Sequence, residues 1–178
     1  MMSGEVRRAR PAELAAVLEL ATAFYLEEGF ATPTVELRHN LRVLLQSERA
    51  RVAVAVDHDH IVGFAVSTVS FGLEQGCVTE LEDLFVRPGH RRTGIGAALI
   101  NDSAAWAISC GCRSLELVVA PNGRDVEHLF GYYGRRGFTD QGRRLLSRDL
   151  HPAVEPSADP AGQRVLEKDR DACDRRPR

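Results

Sequence analysis

The chain has 178 residues, 44% of them apolar, with 23 basic and 25 acidic side chains and a net charge of −2. That length and apolar share suit one domain with a true core, and the charge gives no general attraction to nucleic acid or an anionic membrane. No signal-peptide pattern and no apolar run near ~18 residues is present, and Cys77, Cys110, Cys112 and Cys173 lack paired zinc spacing, so a reducing cytoplasm is expected. Glu5 to Ala9 reads as a first strand, and Pro11 opens a helix whose Leu14, Val17, Leu18 and Ala21 form a stripe. Gly29 and Pro33 end it, and Leu37, Leu41, Leu44 and Leu45 mark a second helix. Val52, Val54 and Val56 begin a strand that turns at Asp57-His58-Asp59-His60 and returns from Ile61 to Val69. The turn reads as a solvated hairpin tip rather than a metal site. A third helix runs from Ala97 to Cys110, with Ala98, Ile100, Ala104, Ala105 and Ile108 on its buried side. Leu115, Leu117, Val118 and Val119 form the next strand, so strand, helix and strand make a parallel crossover. Asp125 caps a helix through Leu129, Phe130, Tyr132 and Tyr133 that stops at Gly137, and Leu145 to Leu150 is expected as a last strand. Beyond residue 150 the Pro-rich, charged composition reads as a disordered or loosely attached tail, leaving residues 1–150 as the domain.

The stretch that carries chemistry is Leu81-Glu82-Asp83-Leu84-Phe85-Val86-Arg87-Pro88, followed by Arg91-Arg92-Thr93-Gly94-Ile95-Gly96-Ala97. It reads as a strand, a glycine turn and a helix start. The first N–H groups of a helix have no internal partner, and the positive end of its dipole faces a ligand there. Such an end takes phosphate, and two arginines add charge-assisted contacts. A Gly-x-Gly pair lacks the third glycine of a dinucleotide fold, and no Gly-Lys-Ser/Thr follows as a P-loop requires.

The strand itself carries three acids, Glu80, Glu82 and Asp83. Simple alternation puts Glu80 and Glu82 on one face and Asp83 on the other unless a bulge intervenes. Unpaired charge is costly on a central strand, so the three either pair with arginines such as Arg87 or Arg113 or mark a site.

The run Arg91-Arg92-Thr93-Gly94-Ile95-Gly96, with Tyr133-Gly134-Arg135-Arg136-Gly137-Phe138 downstream, resembles the GNAT acyltransferases over residues 5 to 150. The first run is similar to their Arg/Gln-x-x-Gly-x-Gly/Ala pyrophosphate loop, the second to their Tyr-x-x-x-Gly-Phe signature. The resemblance implies an α/β GNAT fold: a mixed sheet of six to seven strands, four helices, and a splayed parallel strand pair that admits acetyl-CoA. It implies cofactor contacts at Leu84, Phe85 and Val86, over 91–97 (Arg91, Arg92, Thr93, Gly94, Ile95, Gly96 and Ala97), and at Asp125 and Tyr133. Tyr133 is the expected proton donor to the leaving thiolate, with Tyr132 facing elsewhere as a structural control. Glu82 is the expected base or water-holder, with Asp83 in reserve. The family's asparagine eleven residues before Gly137 is Val126 here, with Asn122 and Asp125 nearby.

The sequence Leu81-Glu82-Asp83-Leu84-Phe85-Val86 is similar to polyamine acetyltransferases, and aminoglycoside acetyltransferases also carry an acid at this point. Glu27, Glu28, Glu36 and Glu74 border the acceptor cleft of that fold. Glu28, Glu74, Glu80 and Glu82 are the expected acceptor-binding acids. The implied acceptor is a small cationic amine, an aminoglycoside first and a polyamine second. Acetylation of a protein N-terminus or lysine, and a non-catalytic acyl-CoA sensor, are the alternatives. No metal, nucleic acid or membrane is expected to take part, and a homodimer is expected by resemblance.

Overall fold

Residues 5–120, 126–148 and 150 are described by the structure, a computed structural model. Its elements run β1 (Glu5–Arg8), α1 (Leu14–Glu28), α2 (Thr34–Gln46), β2 (Ala50–Asp57), β3 (His60–Gly72), β4 (Gly76–Val86), α3 (Ile95–Ser109), β5 (Ser114–Glu116) and α4 (Glu127–Gly134). A single helical turn at Pro11–Glu13 leads into α1. There the Glu13 carboxylate accepts the Arg10 backbone N–H at 2.7 Å and faces the Arg7 and Arg10 guanidinium groups at 2.7 and 2.8 Å. The two arginines hold Glu13 well below the usual carboxylate range. Helix α1 ends where Gly29 takes φ +76°, a left-handed cap that glycine adopts without strain.

The strands pair in the order β1-β2-β3-β4-β5, antiparallel as far as β4 and parallel between β4 and β5. The β2–β3 turn places His58 and Asp59 at φ +46° and +66°, the geometry of a tight hairpin. Helices α1 and α2 cover one sheet face, where Val17, Leu18, Leu20, Leu37, Leu41 and Leu45 meet Val52, Val54, Phe64 and Phe85. On the opposite face Ile95, Leu99 and Ile100 of α3 meet Val62, Ala65 and Leu81. The bidentate Arg51–Asp102 pair, both contacts at 2.6 Å, ties β2 to α3. A Cβ on Gly63 would stand 2.9 Å from the Phe85 carbonyl oxygen, so glycine lets β3 lie this close.

Two expectations need correction. The buried stripe of α3 is Ile95, Leu99, Ile100, Ser103 and Ala107, whereas Ile108 is exposed. An apolar count skips Ser103, yet that residue is buried because its hydroxyl donates to the Leu99 carbonyl at 3.1 Å and accepts from Ser67 at 3.0 Å. Five strands pair among the described residues, and the described part of 145–150 forms no strand. Leu145 and Leu146 are adjacent and both exposed, so they lack the alternation that lets one strand face be buried. Residues 1–139 and 140–178 separate into two compact units, and the described part of the second contains no helix or strand. The expected tail beyond residue 150 lies outside the described residues. Among the described residues no helix is long and apolar enough to cross a membrane.

Candidate active site

The turn between β4 and α3 is shaped by its own side chains. Arg92 and Gly94 take left-handed φ values of +64° and +94°. The Thr93 hydroxyl donates to the His90 carbonyl at 2.6 Å. No side chain caps α3. Its leading N–H groups at Ile95, Gly96 and Ala97 therefore have no intrahelical acceptor, which suits a polyanionic phosphate. The two arginines part company here. The Arg91 guanidinium donates to the Val86 carbonyl and to Glu27, both at 2.8 Å, and lies 5.4 Å from the Phe85 ring centre. Its side chain fastens the turn to β4 and α1 instead of standing free for a ligand. Arg92 is exposed and forms no ion pair among the described residues, so it is the guanidinium available to a phosphate.

Beside this turn the sheet opens. Strand β5 pairs with β4 only at Val78–Ser114, Thr79–Leu115 and Glu80–Glu116. From Leu81 to Val86, β4 has no strand on that side among the described residues, which is the splay the sequence resemblance implied. Leu84 and Val86 turn toward the α3 face and Phe85 toward the α1 face.

At this point β4 carries a bulge. Ser67 pairs with Leu81 and Val66 with Asp83, so Glu82 is the extra residue. The bulge cancels the alternation that would have put Asp83 opposite Glu80 and Glu82. Leu81 faces α3, whereas Asp83 shares the side of Val66 and Phe85, beneath α1. Thr68 donates to Glu82 at 2.6 Å, and Tyr25 of α1 feels the charges of Asp83 and Glu82. Glu80, Glu82 and Asp83 thus gather on one face, with Glu116 of β5 alongside Glu80.

The electrostatics follow from that crowding. Burial and the charge of Glu82 push Asp83 up to about 6. Burial, with Glu82 and Glu116, also raises Glu80. Burial and the two acids push Tyr25 up to about 12, so its hydroxyl keeps its proton. Arg87, one possible partner of these acids, instead pairs with Glu19 at 2.6 Å. Among the described residues no arginine or lysine comes within ion-pair distance of Glu80, Glu82 or Asp83. Glu28 closes α1 and Glu74 sits in the exposed β3–β4 turn.

Both tyrosines of α4 pack on the α3 side. Tyr133 sits edge-on to Tyr132 and Phe138, with ring centres 5.2 and 5.6 Å away, and burial raises its hydroxyl. Tyr132 does not face elsewhere as expected. A Cβ on Gly96 would stand 2.7 Å from the Tyr132 hydroxyl, so this tyrosine lies against the glycine turn. The Arg136 guanidinium lies 3.6 Å from its ring centre and donates to its carbonyl at 2.7 Å. Asp125 and Asn122 lie outside the described residues.

Motif matching alone passes over Tyr25, Glu116 and Tyr132. A signal exists for two of them. Tyr25 continues the α1 stripe four residues after Ala21, and Glu116 is a charge between Leu115 and Leu117 in an apolar strand.

A phosphate-grade turn at the head of α3, a splayed parallel pair and clustered β4 acids stand together in an α/β fold of transferase type. The chain belongs to the acetyltransferase (GNAT) family, whose model matches residues 14–138. It is 30% identical over 80 residues to thialysine N-epsilon-acetyltransferase of Bos taurus, a match covering 45% of this chain and 47% of that protein. The chain thus spans about half the length of the curated relatives it matches. Among solved structures, an integron cassette protein from the mobile metagenome of Cole Harbour Salt Marsh is 30% identical, with TM-score 0.72 and coverage of 84% of this chain and 92% of that one. The aminoglycoside N-acetyltransferase AAC(6')-Iy, solved with CoA, shares the fold at TM-score 0.72 and 20% identity, with coverage of 83% and 95%.

Proposed function

We propose that the chain transfers an acetyl group from acetyl-CoA to a primary amine of a small cationic acceptor, an aminoglycoside in the first instance. One observation carries this reading: three β4 carboxylates without a cationic partner among the described residues converge beside the gap where β4 loses β5. Such a cluster attracts an acceptor bearing several ammonium groups. The kinship with thialysine N-epsilon-acetyltransferase and the fold shared with an aminoglycoside N-acetyltransferase support an amine acceptor.

The residues fit the cosubstrate. Ile95, Gly96 and Ala97 offer backbone donors to a pyrophosphate and Arg92 adds a guanidinium. The open side of β4 offers main-chain groups to an extended amide arm, as an added strand would. Acetyl-CoA supplies the activated acyl group as a thioester. An ammonium must lose a proton before it can attack, and the β4 carboxylates are placed to accept it directly or through water. Tyr133, half-buried and protonated, is the group that would give a hydrogen to the leaving thiolate.

The test is release of free CoA thiol from acetyl-CoA across neamine, spermidine, thialysine and a short peptide. Turnover with the polycationic amines and little with the peptide is expected. Calorimetry that detects no binding of CoA would remove the reading altogether.

A further inference from the structure

Strand β4 runs into the phosphate turn and α3 runs back from it, so the start of β4 meets the end of α3. Cysteines stand on both sides of that junction. Cys77 is the second residue of β4, and Cys110 and Cys112 flank Gly111, where α3 stops. Gly111 takes φ +74°, and its N–H donates to the Ile108 carbonyl at 2.9 Å. The Cys112 N–H donates to the Ala107 carbonyl at 3.0 Å, so the chain folds back over the helix end.

Two contacts bring Cys77 to this turn. Its thiol donates to the Cys110 carbonyl at 3.8 Å, and its own carbonyl accepts the Arg113 N–H at 2.9 Å. Cys112 lies between the two residues so contacted. The strand register agrees. Val78 pairs with Ser114, which sets Arg113 opposite Cys77 and Cys112 one residue back. A strand spacing of about 4.8 Å and a rise of about 3.3 Å per residue put the two Cα atoms roughly 6 Å apart. A disulfide spans about 4.4–6.8 Å between Cα atoms. Cys112 belongs to the turn rather than to β5, so strand alternation does not carry its side chain away from Cys77. The Cys112 thiol, ahead of burial and of Cys110, also pushes the Cys77 thiol up. Cys77 and Cys112 are half-buried, within reach of a small reagent, and Cys110 is exposed.

We propose that Cys77 and Cys112 are a modification site that closes to a reversible disulfide and staples the start of β4 to the end of α3. The oxidant is a small disulfide of the glutathione class. One thiolate of the pair attacks a glutathione sulfur, the glutathione S–S bond breaks and one glutathione thiolate leaves. The second thiolate then attacks the mixed disulfide and expels the other glutathione. Two protein thiols are oxidised, one glutathione disulfide is reduced to two thiols, and the two protons end on these. In a reducing compartment the pair rests as the dithiol and closes under oxidation. The inference stands apart from the acetyl-transfer reading.

The experiment treats the full reduced chain with oxidised glutathione and maps its peptides by mass spectrometry without reductant. A Cys77–Cys112 link should form at least about tenfold faster than any link made by Cys110, and dithiothreitol should reverse it. Cys110→Ser should keep the link, and Cys77→Ser and Cys112→Ser should each abolish it. Circular dichroism checks that the variants fold. Because the link closes a loop in the unfolded chain, the oxidised protein should unfold at a higher urea midpoint, a shift absent from Cys112→Ser. Glutathione adducts alone, or a dominant link through Cys110, would overturn the pairing. An unshifted urea midpoint in the linked protein would overturn the staple.

Discussion

Replacing Asp83 by asparagine keeps the size of the side chain and removes one charge from a largely buried position. Burial and Glu82 hold this carboxyl at about 6, against an ordinary 3.8. A raised carboxyl means that the folded chain keeps a proton that the unfolded chain has already lost. The associated stability is fully present below pH 3.8 and is lost as pH rises to about 6. At about 1.36 kcal/mol per pH unit over this roughly two-unit span, the loss is about 3 kcal/mol. Asparagine has no proton to lose, so the variant escapes it. Urea unfolding should therefore find Asp83→Asn within about 1 kcal/mol of wild type at pH 4 and about 2–3 kcal/mol more stable at pH 8. Acetyl transfer, assayed on the same samples, should fall at least about tenfold. A variant that gains stability and loses activity identifies a charge kept for function. An unfolding difference that is the same at both pH values would refute the buried-carboxylate reasoning.

Other outcomes follow from the same contacts. Gly63→Ala puts a methyl 2.9 Å from the Phe85 carbonyl oxygen and 3.4 Å from Ile95 and Leu99 atoms. Backbone cannot swing aside as a side chain can, so urea unfolding should show a loss of roughly 1–3 kcal/mol. The two arginines of the turn should separate cleanly. Arg92→Ala should weaken CoA binding roughly tenfold by calorimetry, less so at high salt, with stability within about 0.5 kcal/mol of wild type. Arg91→Ala should leave CoA affinity largely intact and lower stability by about 1 kcal/mol, because it strips a donor from the Val86 carbonyl. Tyr133→Phe should reduce kcat by roughly tenfold to a thousandfold, with the dissociation constant of CoA changed less than about twofold. An equal loss in both quantities would mean that Tyr133 only packs.

Several features were legible because they are local. The helix stripes of α1 and α2, the hairpin at Asp57–His60 and the strand–turn–helix at 81–100 each depend on spacing within a few residues. The turn needed Gly94 at positive φ and no Cβ on Gly96, and both needs show in the glycine pattern. The α3 stripe was misread at Ser103 because its hydroxyl is satisfied by Leu99 and by Ser67 of another element, so polarity did not report exposure. Arg91 and Arg92 looked equivalent because nothing near them in sequence reveals that Glu27, sixty-four residues away, claims one of them.

The sequence by itself determined the family, the phosphate turn and the presence of acids that a buried strand should not carry, since each is written in residue type and short spacing. Only the tertiary structure decided on which face each acid stands. A single extra residue in β4 turns Asp83 to the face of Glu80 and Glu82, on the side that α1 covers. Strand alternation has a period of two, so one unpaired residue reverses every side chain beyond it, and that pairing is set by β3 rather than by β4 alone.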